Sequence, residues 1–332
     1  MDKIKFAIPK GSLEKATAEF FSKSGYKIGG TERTYRPSIN DPQIEMKVLR
    51  PQEIPVFVSE GLQDLGITGE DWVKENRADV EILQNLEYGK IKLVIAVPKS
   101  CQNVTMGEFM ESIWAQGKNF RISTEYLNIA SEYLKSTPQY KKRFGDAEPM
   151  LVTPWWRKGD NARAKIFLSF GATEAKPPED SDAIMDVTET GTTIEANNLK
   201  IIDTVLRSAA ILIANKKSLE DPEKREKIYD IVALLKGVVD GSKRIHIFVN
   251  VKKANLQKLL TELPALKNPT ISPLADDTWV SVNTVIEKDC LIELLPKIRK
   301  LAQGLVVYEP RQVLALDELA TRVEKTCKSK AK

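Results

Sequence analysis

The stretch IKFAIPKGSLEKATAEFFSKSG, Ile4 to Gly25, reads as a strand, a short loop and a helix in direct succession. Apolar residues dominate its first five positions, after which Leu13, Ala16 and Phe20 recur on one helical face. Ser12 is placed to cap the helix and Gly25 to end it. The same grammar repeats. IEMKVLR (44–50) predicts a strand, PQEIPVFVSEG (51–61) a short helix with Pro51 near its start, and LQDLGITG (62–69) another strand. EDWVKEN (70–76) then opens a helix with acidic residues in its first turn. Such alternation implies a parallel sheet covered on both faces.

After the strand KIKLVIAVP (90–98) the pattern restarts, with FRIST (120–124) leading into EYLNIASEYLK (125–135). Residues 164–193 supply two more strands with a loop between them, and LKIIDTVLRSAAILIAN (199–215) returns as strands. Two α/β lobes, crossed by the chain near Val94–Pro98 and again near Ile202–Ile213, describe a hinged molecule whose ligand belongs in the cleft. We expect a first lobe of residues 1–96 with 203–220 and a second of 97–202. From Asp221, with Pro222 behind it as a helix start, the order becomes helix, then β-α-β-β-α-β, the ferredoxin-like plan of a small separate domain over 221–315. Residues 316–332, ending EKTCKSKAK, read as a solvated basic tail.

A chain of 332 residues exceeds one ordinary core, and 42% apolar with 29% charged residues is a globular composition. Net charge is only +4, with basic and acidic residues interspersed, so a dedicated nucleic-acid surface is not expected. Apolar runs such as LVIAV are of strand length, so no membrane span is expected, and MDKIKFAIPKGS carries no apolar signal segment. We therefore expect a cytoplasmic protein. Cys101, Cys290 and Cys327 lack the spacing of a zinc site or a disulfide framework. The single histidine, His246, alternates with isoleucines in RIHIFVNV, as on one face of a strand. Histidine-based triads are thereby excluded, and chemistry falls to carboxylates, Lys or Arg, hydroxyls, backbone amides or a bound metal.

DVTETGTT, Asp186 to Thr193, is the main candidate site. It is a strand-to-helix turn in which Thr190, Gly191, Thr192 and Thr193 offer amides and hydroxyls to one phosphate, and Gly191 permits close backbone approach. Asp186 and Glu189 would repel a bare phosphate; they make sense beside ribose hydroxyls or a magnesium ion. A Ser/Thr-rich turn and helix cap is the other reading of the same loop. Lys10, Gly11 and Ser12 stand at one strand-helix junction, and Ser123, Thr124 and Glu125 at the matching junction of the second lobe. Together the three junctions would direct three helix N-termini at one cleft. Arg50 ends a strand and could fork onto phosphate oxygens. Gly171, Thr173 and Glu174 occupy a further loop, with Glu174 a candidate for sugar hydroxyls.

The segments IPKGSLEKA, LRPQEIPVFV, DLGITGEDWV, FGATEAKPPE and DVTETGTTIEANNLKIIDTV occur in an order that resembles the ATP phosphoribosyltransferase family. The later LPALKNPTISPLADDTWVSV resembles the regulatory domain of its long form, so the resemblance runs from about Ile4 to about Val307. It implies a periplasmic-binding-protein-like (type II) pair of lobes with an ACT-like, ferredoxin-like domain. The implied reaction is magnesium-dependent transfer of phosphoribose from phosphoribosyl pyrophosphate to N1 of ATP, the committed step of histidine biosynthesis, with histidine as feedback inhibitor. Asp186, Val187, Thr188, Glu189 and Thr190 to Thr193 would form the phosphoribosyl-pyrophosphate loop, and Asp186 and Glu189 would share the metal with substrate. Lys10, Gly11, Ser12 and Arg50 would hold the pyrophosphate or triphosphate. Gly69, Glu70, Asp71 and Glu125, with Gly171, Ala172, Thr173 and Glu174, would line the nucleotide and ribose. For histidine, the candidates are Asn250, Leu266, Thr270, Asp276, Asp277, Val285 and Gly304. A homo-oligomer, dimer to hexamer, is also implied. PMLVTPWWRKGDNAR (149–163) departs from the wider family pattern, and Trp155 and Trp156 find no role in it. The rival reading is a cytosolic two-lobe small-molecule sensor without catalysis, which the acidic phosphate loop argues against.

Overall fold

The computed structural model describes residues 2–30, 34–103, 105–264 and 269–314. Leu266, Cys327 and the expected tail lie outside the described residues. The chain begins with β1 (Ile4–Pro9), α1 (Glu14–Ser24), the ribbon β2 (Ile28–Gly29) and β3 (Ser38–Ile39), β4 (Ile44–Leu49), α2 (Ile54–Ser59), β5 (Leu65–Gly69), α3 (Glu70–Asn76) and β6 (Glu81–Asn85). Then come β7 (Ile91–Pro98), α4 (Met106–Ala115), β8 (Phe120–Thr124), α5 (Leu127–Ser136), α6 (Pro138–Phe144), β9 (Pro149–Val152), β10 (Arg157–Lys158) and β11 (Asn161–Leu168). β12 (Ala183–Thr188), α7 (Thr192–Ala196), β13 (Leu199–Ser208) and β14 (Ala210–Ala214) complete this part. The remainder is α8 (Pro222–Lys243), β15 (Arg244–Lys252), α9 (Leu256–Glu262), β16 (Thr270–Pro273), β17 (Trp279–Glu287), α10 (Cys290–Leu301) and β18 (Ala302–Tyr308).

Two mixed sheets form the lobes. The first runs β4-β1-β5-β14-β6, with β1 and β5 parallel; the second runs β10-β9-β11-β8-β12-β7-β13, with β8 parallel to both β11 and β12. Both carry apolar strands buried on two faces: all five residues of β14 are buried, as are Leu93 to Val97 of β7. These two strands run antiparallel to their neighbours, so the sheets are mixed rather than parallel as the strand-helix alternation implied. The chain passes from the first sheet to the second between Asn85 and Ile91 and returns between Ser208 and Ala210. β7 and β13, which span the expected crossings, thus pair with each other inside the second sheet. That lobe's core centres on Trp114, whose indole donates to the Arg163 carbonyl at 2.9 Å and meets Phe144 edge-on.

The molecule divides into two compact units: Lys5–Ala16 with Met46–Glu220, which holds both sheets' central strands, and a second that joins Thr17–Glu45 to the chain from Asp221 onward. Within the second unit, Asp221 caps α8 by accepting the amides of Glu223 and Lys224 at 2.9 and 3.1 Å. Lys227 of α8 pairs with Asp41 at 2.6 Å, each side chain only 14–15% exposed. The four-stranded sheet is antiparallel throughout, in the order β16-β17-β15-β18, which is the ferredoxin-like arrangement. Period-2 alternation sends Ile245, Ile247, Val249 and Val251 into the core with Leu259, Leu294 and Ile298 of the two helices. His246 lies on the opposite face, its ring 4.5 Å from that of Phe248. No described helix is long and apolar enough to cross a membrane.

Candidate functional site

The C-terminal ends of β1, β4 and β5 and of β8 and β12 open onto one cleft with about 770 Å³ of empty space, part of it open to solvent. Open α/β sheets bind ligands at this edge because strand ends leave loops and backbone groups there. Lys10, Gly11, Ser12, Arg50, Gly69 and Asp71 line it from the first lobe, and Glu125, Asp186 and Val187 from the second. Gly11 holds φ +90°, a left-handed conformation suited to glycine. Its amide donates to Glu14 at 3.3 Å, so an acid of α1 already occupies that donor. Gln52, Trp72, Ile91 and Tyr126 also line the cleft and were not anticipated. Tyr126 stands beside Glu125, Trp72 beside Asp71 and Gln52 within LRPQEIPVFV, so adjacency in sequence was the available signal for these three.

Asp71 is buried, and its carboxylate accepts from the Tyr126 hydroxyl at 2.7 Å and from the Ser208 hydroxyl at 2.5 Å. It joins α3, the turn before α5 and the end of β13 at the wall of the cleft. Burial, together with the adjacent Asp71 charge, raises the Tyr126 phenol well above its usual range, so it remains a donor. Trp72 stacks on Tyr126 with centroids 4.4 Å apart and planes 21° apart. The expectation of three open helix N-termini fails at α5, because Glu75 of α3 accepts the amides of Asn128 and Ile129 at 2.9 and 3.0 Å. Two of the donors expected for a ligand there are spent on a neighbouring carboxylate.

In the loop after β12, Gly191 adopts φ +91° and caps α7, its amide donating to the Thr188 hydroxyl at 2.8 Å. The hydroxyls of Thr190 and Thr192 lie 2.8 Å apart, and Thr193 follows in the first turn of α7. Asp186 is held up at about 6 mainly by burial, with Glu174 and Glu125 adding to it, while the Val187 amide and the Thr173 hydroxyl oppose the rise. Thus the Thr173 hydroxyl meets Asp186, the Glu174 charge is felt there, and Gly171 and Ala172, both at positive φ, form the turn that precedes them. Clustered carboxylates whose charged forms disfavour one another suit a hard cation that completes its shell with substrate oxygens. Among the described residues, no group of three or more His, Cys, Asp or Glu side chains is placed to hold a metal alone.

Glu189 and Glu70 part from the rest. They line a second cavity of about 920 Å³ of empty space, with Lys90, Lys92 and Arg207. The structure therefore does not bring Glu189 to the same cavity as Asp186, three residues earlier. In the C-terminal sheet Asn250 and Gly304 are direct cross-strand partners, Thr270 pairs with Asn283, and Val285 is the partner of His246. Asp276 accepts from the amide and hydroxyl of Thr278 at 2.9 and 2.7 Å, which lowers its pKa and commits it to the turn shared with Asp277. Trp155 and Trp156 sit at a tight turn in which both amides donate to Thr153; Trp155 is 72% exposed and meets Phe170 edge-on at 5.8 Å.

Residues 50–237 match the family described as ATP phosphoribosyltransferase, and residues 242–311 match the family described as HisG, C-terminal domain. A protein named ATP phosphoribosyltransferase from Solibacter usitatus is 39% identical over 317 residues, covering 94% of this chain and 99% of the relative. Its counterpart from Chlorobaculum parvum is 37% identical, covering 94% of this chain and 97% of the relative. Among solved structures, the ATP phosphoribosyl transferase (HisG:HisZ) complex from Thermotoga maritima is similar at 25% identity and a TM-score of 0.54, covering 71% of this chain and 98% of that one. A two-lobe α/β fold with these matches defines an enzyme, a glycosyltransferase that moves a pentosyl group. The chain belongs to the ATP phosphoribosyltransferase family in its long form, with the additional C-terminal domain, and so to the first step of histidine biosynthesis.

Proposed function

We propose that the phosphoribose donor is phosphoribosyl pyrophosphate, that N1 of the ATP adenine attacks it, and that magnesium is the accompanying ion. The observation that carries this reading is the composition of the cleft, where Lys10 and Arg50 of one lobe share a cavity with Asp186 and Glu125 of the other. Adenine N1 has a lone pair and no proton to lose before attack, so a strong general base is unnecessary. Pyrophosphate leaves an anomeric carbon with cation-like character, and Lys10 and Arg50 stabilise the charge that grows on it. Asp186 accepts from the ribose hydroxyls, with Thr173 and the Val187 amide orienting its carboxylate. The loop from Thr188 to Thr193 receives the 5′-phosphate, Gly191 exchanging its bond to Thr188 for one to phosphate oxygen. Magnesium, when bound, supplies further positive charge to the pyrophosphate.

Histidine is the inhibitor in this reading, bound at the C-terminal domain near Asn250 and Gly304, and it shifts assembly states of a cytoplasmic homo-oligomer rather than blocking the cleft. The C-terminal domain match supports the presence of such a separate module, and the Thermotoga neighbour is itself part of a complex. A pyrophosphate-release assay with ATP, phosphoribosyl pyrophosphate and magnesium tests the reaction. Gly191→Val should lower kcat/KM by about 100-fold or more, because a β-branched residue resists φ +91° and holds the backbone off the phosphate. Undiminished turnover in that variant removes the loop from the site, and absence of turnover in the unaltered chain removes the reaction.

A further inference from the structure

We propose that Lys176, acting through Ser169 and Thr173, is a positioning residue that sets the Asp186 carboxylate to accept from the ribose diol. The inference rests on the role given to Asp186 above and adds Lys176 and Ser169, neither of which lines the cleft. Ser169 directly follows β11, and its amide donates to the Thr124 carbonyl at 2.9 Å, so the sheet fixes its place. The positive-φ turn at Gly171 and Ala172 folds the chain back, and the Lys176 amide donates to the Thr173 carbonyl at 3.2 Å. This return brings the Lys176 ammonium to 2.5 Å from the Ser169 hydroxyl, which lies 3.4 Å from the Thr173 hydroxyl. Thr173 in turn bonds to Asp186. A hydrogen-bond chain thus runs from a cation behind the loop to a carboxylate in the cleft wall.

The chemistry of its two ends gives this chain one direction. A lysine ammonium only donates, and an ionised carboxylate only accepts. Ser169 therefore accepts from Lys176, and its own proton is left for the Gly171 carbonyl at 3.2 Å and the Thr173 oxygen. Thr173 is left to donate to Asp186. Ser169 and Thr173 are each 1% exposed, so water does not replace Lys176 in aligning them. Without the ammonium, either hydroxyl of that pair could be the donor. A Thr173 proton turned toward Ser169 would present a lone pair to Asp186 and leave only the Val187 amide, at 2.7 Å, to hold the carboxylate. Among the described residues Lys176 has no carboxylate partner, and the charges that act on Asp186 are those of the acids Glu174 and Glu125. Lys176 accordingly serves Asp186 through the hydroxyls rather than as its counter-ion. A site built to bond a hydroxyl rejects the analogue that lacks it when its acceptor is held in place. Lys176 is thereby a determinant of the choice of ribose over deoxyribose.

The test measures, by calorimetry in EDTA, how much more tightly each protein binds ribose 5-phosphate than 2-deoxyribose 5-phosphate. The unaltered enzyme should prefer the former about tenfold or more. Lys176→Met and Ser169→Ala should each reduce the preference to about threefold or less, whereas Lys176→Arg, which still only donates, should keep most of it. In turnover, Lys176→Met should raise KM for phosphoribosyl pyrophosphate about tenfold and leave KM for ATP within about twofold. Each preference is a ratio within one protein, so a partly unfolded variant still reports it. A full preference in Lys176→Met, or a loss in Lys176→Arg as large as in Lys176→Met, overturns the hydrogen-bond chain while the role of Asp186 stands. No preference in the unaltered enzyme removes Asp186 from the diol, and the inference falls with that reading.

Discussion

Glu75 closes the N-terminus of a helix that belongs to the other lobe: its carboxylate accepts the amides of Asn128 and Ile129, and the Asn128 side chain returns a bond to the Glu75 carbonyl at 2.9 Å. Burial raises this carboxyl from 4.5 to about 7 even though those amides and Arg77 favour its charged form. Desolvation outweighs the hydrogen bonds. A carboxyl raised on folding contributes stability that is fully present below its unfolded pKa, near 4.5, and is lost as pH rises through about 7. Between those limits the unaltered protein should lose on the order of 3 kcal/mol that Glu75→Gln retains, since glutamine does not ionise. Thermal midpoints of the two proteins across this range check it; curves that stay parallel refute the assignment to Glu75.

Tyr126→Phe isolates the bond to Asp71. The buried carboxylate keeps Ser208 as a donor but loses the phenol, which should cost about 1–3 kcal/mol by denaturant unfolding. The stack on Trp72 should survive, because the ring is unchanged. Gly69→Ala reaches the same network from the other side, since a Cβ there collides with Asp71 Oδ1. If Tyr126→Phe is neutral, the network is not what holds α3 to the turn before α5.

Lys227→Met should destabilise the second unit by about 1–3 kcal/mol, leaving Asp41 largely buried without its cation. The double change with Asp41→Asn should recover most of that loss, because no uncompensated charge remains. A double variant no better than the single one would show that the loss does not come from an uncompensated charge at Asp41.

Much of this architecture was legible in local pattern. The strand-loop-helix units and the β-α-β-β-α-β order follow from period and caps, and Asp221 caps α8 as its sequence suggests. His246 sits on one face of a strand because alternation with isoleucines allows little else. What was not legible depends on partners distant in sequence. Glu75 looks like any exposed helical acid until the chain brings Asn128, 53 residues on, above it. Asp186 and Glu189 read as a pair by proximity, yet the end of β12 at Thr188 lets the chain turn between them and directs them to different cavities. The grouping of Thr17–Glu45 with the chain from Asp221 follows from contacts such as Asp41 to Lys227 that no window reveals.

A single residue, Ala209, separates β13 from β14, and so one strand of each sheet is nearly the same strand. Its carbonyl accepts the Glu70 amide at 3.1 Å, and the next amide, that of Ala210, donates to Tyr88 at 2.9 Å. The passage from one sheet to the other is thereby pinned from both flanks, by the start of α3 and by the segment that makes the other crossing.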